Sequence, residues 1–199
     1  VSIPGVEVLE EHGRGAFGAV YRVRRGGRYY ALKVPIHGAG GGPDEALAAR
    51  VLREAVALAP VRHPALPAVM EVGHVGRTPY IIMELVAGET LAERLRSGPL
   101  DEVVAVELGI VLADVLARIH ASGLVHRDIR PENILFDAHT TAARLVDFGF
   151  ASATGSGGAA DDAANGAAHH ADERADLFAL GSVLFECVTG VEPFAHADP

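Results

Sequence analysis

The spacing of apolar and polar positions changes along this chain, and each change marks an expected element. Over the first 35 residues apolar positions come in short runs rich in β-branched and aromatic residues, at 6–9, 19–23 and 29–34. Such runs predict three strands. Arg25-Gly26-Gly27, between the second and third, predicts a tight hairpin turn. Residues 44–59 switch to a helical period, with Leu47, Val51, Ala55 and Leu58 on one stripe, after a glycine-rich connection at 38–42. Strands return over 60–87. The run 80–85 is apolar almost throughout, as in a strand buried on both faces. Gly88-Glu89-Thr90-Leu91 opens another helix. Residues 101–121 predict a long helix with Asp101 as N-cap and Val103, Val106, Ile110, Ala113, Ala117 and His120 as its inner stripe. Two short loops between apolar runs follow, around Asp128 and Asp147. Residues 151–171 are mostly Ala, Gly, Ser and Asp. They carry too little apolar surface to offset the entropy of ordering, which predicts a poorly ordered stretch. The helical pattern resumes at 172, continues through 183–188 and closes on a turn at 190–194.

Bulk composition narrows the function without choosing it. Hydrophobic residues make up 49% of the 199, enough for a sizeable core. A net charge of −9 argues against a general nucleic-acid-binding surface, while leaving room for local nucleotide binding. Cys187 is the single cysteine, so an intrachain disulfide is excluded, and a reducing, cytoplasmic setting is expected. No apolar run reaches the ~18 residues a membrane span needs. The chain begins at Val1 with no leader-like segment, which is read as an excerpt of a longer protein. Abundant Ala and Gly fit a bacterial source.

Candidate chemistry lies in four places. Gly13, Gly15 and Gly18 form a G-x-G-x-x-G spacing. Alone it fits either a dinucleotide fold or a glycine hairpin laid over phosphates. The dinucleotide reading needs a helix after the glycines, and a β-branched and aromatic run stands there instead. Lys33 sits in the apolar run Ala31-Leu32-Lys33-Val34, where a buried ammonium needs a partner. Glu54 is the candidate; Glu45 falls in the first helical turn and suits the helix dipole better. Asp128, Asn133 and Asp147 offer oxygen donors on neighbouring loops, the kind hard cations prefer. His169 and His170 are read as exposed loop histidines.

His126-Arg127-Asp128-Ile129-Arg130-Pro131-Glu132-Asn133 matches H-R-D-x-x-x-x-N at every fixed position, and Asp147-Phe148-Gly149 follows at a matching separation. On these motifs the chain resembles the protein kinase family. Its Pro131-Glu132-Asn133 ending is similar to the serine/threonine branch, particularly the bacterial eukaryotic-like (Hanks-type) kinases. The resemblance implies a bilobal α+β fold. A small antiparallel β lobe with one helix spans about 1–85, and a partial, mainly helical large lobe spans 86–199. The low-complexity activation segment lies at about 150–171. It implies transfer of the ATP γ-phosphoryl group to a protein hydroxyl, on a substrate or on itself. By resemblance, Asp128 orients the hydroxyl and Arg130 stands near the transferred phosphate, where serine/threonine kinases carry Lys. Lys33 holds the phosphates and is itself placed by Glu54. Asn133 and Asp147 hold Mg²⁺. Gly13, Gly15, Gly18, Val20, Ala31, Met83, Leu135 and the backbone of Glu84 to Val86 surround the nucleotide. His126 and Phe148 pack in the core, Asp176 holds the catalytic-loop backbone, and His63 is a turn residue of the H-P-x-L kind.

The pattern departs from the family after Gly149. No A-P-E is found, and Gly149 and Asp176 stand close together for an activation segment plus a helix. The sequence stops at Pro199, before the helices that complete the family's larger lobe, which is read as either a reduced domain or a segment cut short. Two rival readings stay open: a pseudokinase-like nucleotide-binding scaffold, favoured by the eroded activation segment, and a small-molecule kinase of similar fold.

Overall fold

The computed structural model describes residues 2–15, 18–35, 52, 56, 59–140, 142–147, 152–153 and 162–194. The chain divides into two compact units. The first joins Val1–Arg62 to Pro67–Val86, and the second joins His63–Leu66 to Ala87–Pro199.

The first unit is built on an antiparallel sheet of five strands: β1 (Glu7–Gly15), β2 (Gly18–Arg25), β3 (Arg28–Val34), β4 (Val69–Val75) and β5 (Thr78–Glu84), in the order β1-β2-β3-β5-β4. The glycines of the β2–β3 turn, Gly26 and Gly27, have φ of 55° and 77°. Two consecutive left-handed residues make the two-residue turn whose twist suits a hairpin, and Arg25 pairs with Arg28 across it. One sheet face carries the core of Val23, Leu32, Val34, Tyr80 and Ile82. On β1, Glu7, Glu10 and Glu11 pair with Arg24, Arg22 and Arg14; these exposed pairs add little stability. A strand follows the glycines, so the dinucleotide alternative fails. Of the helix expected at 44–59, positions 52, 56 and 59 are described; 52 and 56 are helical and 59 is a turn. Glu45, Leu47, Val51, Glu54, Ala55, Leu58 and the connection at 38–42 lie outside the described residues.

The second unit holds β6 (Gly88–Thr90), α1 (Leu91–Leu95), α2 (Glu102–His120), β7 (Leu124–Val125), a single 3-10 turn at Pro131–Asn133, β8 (Ile134–Asp137), β9 (Ala143–Leu145), β10 (Ser152–Ala153) and α3 (Asp162–Thr189). Strands β6, β8 and β9 form one antiparallel sheet, and β7 pairs with β10. Thr90 and Glu93 cap α1 reciprocally, and the Asp101 side chain caps α2 by accepting the Val103 N–H at 2.9 Å. Helices α2 and α3 pack together; a Cβ added at Gly109 would meet Leu184 Cδ1 at 3.1 Å.

Three expectations are corrected here. The inner face of α2 is Ala105, Leu108, Leu112, Val115, Leu116 and Ile119, whereas Val103, Val106 and Ile110 are exposed. Apolar residues stand on nearly every side of this helix, so period alone does not choose the stripe, and the leucine-rich one is buried. The stretch 151–171 is not wholly irregular. Ser152–Ala153 forms β10, and α3 begins at Asp162, ten positions before the expected start. Ala163, Ala164, Ala167, Ala168 and Ala171 have the highest helix propensity. They also extend a helix already nucleated by its buried part, so no new nucleus is needed. His169 and His170 therefore lie in a helix, not a loop.

Candidate active site

In the second unit the site is assembled on the loop after β7. Its centre is Asp176 of α3, a buried carboxylate. Asp176 Oδ2 accepts the His126 N–H at 2.8 Å, and Oδ1 accepts the Arg127 N–H at 2.7 Å. His120, at the end of α2, places Nε2 at 2.8 Å from Oδ2. The clamp explains why Arg127 persists at φ 64°, a left-handed conformation that costs a non-glycine residue about 1–2 kcal/mol. His126 is fully buried, and its Nδ1 accepts the Asp128 N–H at 3.2 Å. A core position, as expected for His126, is what the structure shows.

Asp128 is half-buried and faces Asn133. The Asn133 amide nitrogen donates to the Asp128 carbonyl at 2.9 Å and to Asp128 Oδ2 at 2.8 Å. Both amide hydrogens are thus spent toward Asp128, and Oδ1 is what Asn133 has left to offer. That is a hard neutral oxygen, suited to Mg²⁺. The Asn133 carbonyl accepts the Val146 N–H at 2.8 Å, one residue before Asp147. Asp147 is exposed, supplies a carboxylate, and has φ 59°. A second unusual conformation therefore sits at the second expected Mg²⁺ ligand. This donor set fits the ion.

Burial raises the Asp128 carboxyl from its ordinary value; the Asn133 donor and the Arg130 charge oppose that, and Asp147 and Glu132 add to it. Arg130 Nε lies 2.7 Å from Glu132 Oε2, and both side chains are exposed. The bond to Arg130 holds the Glu132 carboxyl low. Leu135 is buried in β8. Phe148 and Gly149 lie outside the described residues.

In the first unit, strand register collects the remaining candidates. Lys33 pairs with Val20 on one side and Ile81 on the other, and Ala31 pairs with Met83. Because paired residues share a face and alternate residues return to it, Val20, Ala31, Lys33 and Met83 lie on one face. It is the face away from the Val23–Leu32–Ile82 core. Lys33 is buried; its expected partner Glu54 is among the residues left undescribed. Gly13 pairs with Val20, and Gly15 with Gly18. A Cβ at Gly18 would stand 2.5 Å from the Val34 carbonyl oxygen, so close strand approach requires glycine there; at Gly13 a Cβ would meet nothing within 4 Å. The Glu84 N–H is spent on the Ala68 carbonyl at 2.9 Å.

Sequence reasoning missed His120, which it read as a member of a helix stripe. Its partner Asp176 lies 56 positions away, beyond the reach of any local pattern.

Fold and site residues together define a class: a β unit with a glycine hairpin and a buried strand lysine, and a helical unit with an aspartate-clamped loop rich in oxygen donors. The protein kinase domain model matches residues 6–199, and the chain belongs to that family, whose reaction uses ATP and Mg²⁺. It is similar to a probable serine/threonine-protein kinase of Clostridium perfringens, at 35% identity over 97% of this chain and 30% of the relative. It is similar to the serine/threonine-protein kinase PknB of Mycobacterium tuberculosis, at 34% identity over 78% of this chain and 28% of the relative. Against the serine/threonine-protein kinase pkn2 of Myxococcus xanthus the identity is 33%, over 94% of this chain and 24% of the relative. The chain thus spans less than a third of the length of these curated relatives. They place it among the bacterial Hanks-type kinases. No described helix is long and apolar enough to cross a membrane.

Proposed function

We infer that this chain transfers the γ-phosphoryl group of ATP to a Ser or Thr hydroxyl, either its own or a protein substrate's, in the cytoplasm. The observation that carries the reading is the Asp128–Asn133 pair, held by two hydrogen bonds on a loop whose backbone Asp176 clamps. Asn133 Oδ1 and the Asp147 carboxylate would hold Mg²⁺, which supplies charge neutralisation at the phosphates. Asp128 orients the attacking hydroxyl and receives its proton; its raised proton affinity suits a group that takes a proton near the end of transfer. Lys33 is assigned to the phosphates and Glu54 to Lys33. The glycine hairpin brings backbone N–H groups to phosphate oxygens, and Val20, Ala31, Met83, Val86 and Leu135 are assigned to the base. Arg130 keeps a positive charge beside Asp128 and can grip a phosphate with two N–H groups.

The test is a radiolabelled ATP assay on the protein alone and with added protein substrates. Label should appear on Ser or Thr, and Lys33→Ala and Asp128→Asn should each abolish it. A signal that survives both substitutions overturns the reading. Mg²⁺-dependent nucleotide binding without any labelled product favours the scaffold alternative instead.

A further inference from the structure

We propose that His63 and Asp114 form a latch that positions the Mg²⁺ ligands from outside the site, a role that rests on the phosphotransfer reading above. Four residues, His63–Leu66, belong to the second unit although their neighbours in sequence belong to the first. They form a turn, closed by the Leu66 N–H on the His63 carbonyl at 3.0 Å. His63 Nδ1 accepts the Ala65 N–H at 3.0 Å, so the neutral ring carries its proton on Nε2. Nε2 stands 2.9 Å from Asp114 Oδ2 on α2, and so donates to it. One ring thereby braces its own turn with one nitrogen and ties that turn to a helix with the other.

The braced turn meets the strand that leads to Asp147. Among the described residues strand β9 pairs with β8 on one side only. On its other side the Ala65 carbonyl accepts the Leu145 N–H at 2.8 Å, and the Leu66 carbonyl accepts from Arg144 Nη2 at 3.3 Å. The next N–H, of Val146, goes to the Asn133 carbonyl at 2.8 Å. The chain then enters Asp147 at φ 59°. From Asp114 to Asp147 the connection is therefore continuous: helix, imidazole, turn carbonyl, strand amide, metal-ligand loop. A left-handed aspartate persists only where its surroundings dictate it. Groups that orient a metal ligand without touching the metal commonly change metal affinity or activity 10- to 100-fold when removed. Among the described residues no hydrogen bond or ion pair joins His63 or Asp114 to Asp128, Asn133 or Asp147, so their part is positioning.

Three substitutions separate the latch from the turn. Asp114 is 66% exposed, so Asp114→Ala removes the latch without opening the core. His63→Asn keeps a side-chain acceptor for the N–H two residues on but cannot reach Asp114. Asp114→Asn still accepts from Nε2 and serves as the rescue. Two quantities are measured: hydrogen exchange at the Leu145 amide, and the Mg²⁺ concentration that half-saturates the gain in ATP binding. Asp114→Ala and His63→Asn should each speed Leu145 exchange and raise the Mg²⁺ requirement about tenfold. The double variant should do no more than either alone, and Asp114→Asn should match the parent protein. Unchanged Leu145 exchange in Asp114→Ala overturns the latch, and faster exchange with an unchanged Mg²⁺ requirement overturns its positioning role. Because both readouts are independent of phosphotransfer, a parent protein that binds Mg²⁺ and ATP but labels nothing sinks the kinase reading and leaves the latch standing.

Discussion

Asp176 Oδ1 holds the Arg127 N–H at 2.7 Å across 49 positions of sequence, and Arg127 is the residue immediately before Asp128. The same carboxylate takes the His126 N–H and the His120 ring. A single buried group on α3 thus decides the backbone path that presents the candidate catalytic carboxylate.

Removing that group leaves two backbone N–H groups without their acceptor, one buried and one part-buried. Each unsatisfied buried donor costs about 1–3 kcal/mol. Asp176→Ala should therefore lower the urea midpoint by an amount equivalent to roughly 2–5 kcal/mol. Asp176→Asn, which keeps one oxygen, should fall between it and the parent protein. Phosphotransfer should fall further than stability alone explains, because Arg127 is then free to relax from φ 64°. An Asp176→Ala variant with the parent midpoint and rate would remove the clamp from the account.

The pH dependence follows from Asp128. Its carboxyl is raised chiefly by burial, with Asn133 and Arg130 pulling it back. A group that must be ionised to orient a hydroxyl then gives an acidic limb of kcat/KM at higher pH than a free aspartate would. Arg130→Gln removes one of the two opposing effects and should move the limb to still higher pH. The linked stability has a definite sign. With the folded pKa above the unfolded one, the Asp128 contribution is fully present below the unfolded value and is lost as pH rises through the folded value. Asp128→Asn, which cannot ionise, should gain stability relative to the parent as pH rises through that window. Carbon NMR titration of the Asp128 carboxyl checks the first claim, and urea melts at several pH values check the second. A limb that moves downward in Arg130→Gln refutes the assignment.

How much of this was readable beforehand depends on range. The β2–β3 turn follows from Gly26-Gly27, and the cap of α2 from Asp101, because each is decided within a few residues. Asp176 was legible as a loop holder only through resemblance. The bonds of His120 and His63, to groups 56 and 51 positions away, were not legible at all. The α2 stripe went wrong for a different reason: with Val, Ile and Leu on most sides, packing against α3 and β7 decides the buried face, and that information lies outside the helix. The observed face makes a prediction. Leu112→Ala should cost about 2–5 kcal/mol, as for a fully buried leucine, while Val106→Lys should stay within about 0.5 kcal/mol of the parent. Equal losses from the two in thermal unfolding would show that both faces are packed.

The last prediction concerns Mg²⁺ and Asp147. Asn133 offers one neutral oxygen, its amide hydrogens being committed to Asp128. Among the donors assigned to the ion, Asp147 therefore supplies the charge that favours a divalent cation over water. Asp147→Asn keeps size and one oxygen but removes that charge, so it should abolish most of the Mg²⁺-dependent stabilisation by ATP. A ligand at a hundred times its dissociation constant stabilises by about 2.7 kcal/mol, so the effect is large enough to read as a thermal shift. The parent protein should melt higher with ATP and Mg²⁺ together than with ATP alone, and Asp147→Asn should melt at nearly the same temperature in both. Asn133→Ala should lose less of the Mg²⁺ gain, since it gives up a neutral oxygen, while also freeing the Asp128 side chain. If Asp147→Asn retains the full Mg²⁺ increment, the ion is held by other groups, and the link from the latch through Leu145 to Asp147 loses its purpose as well.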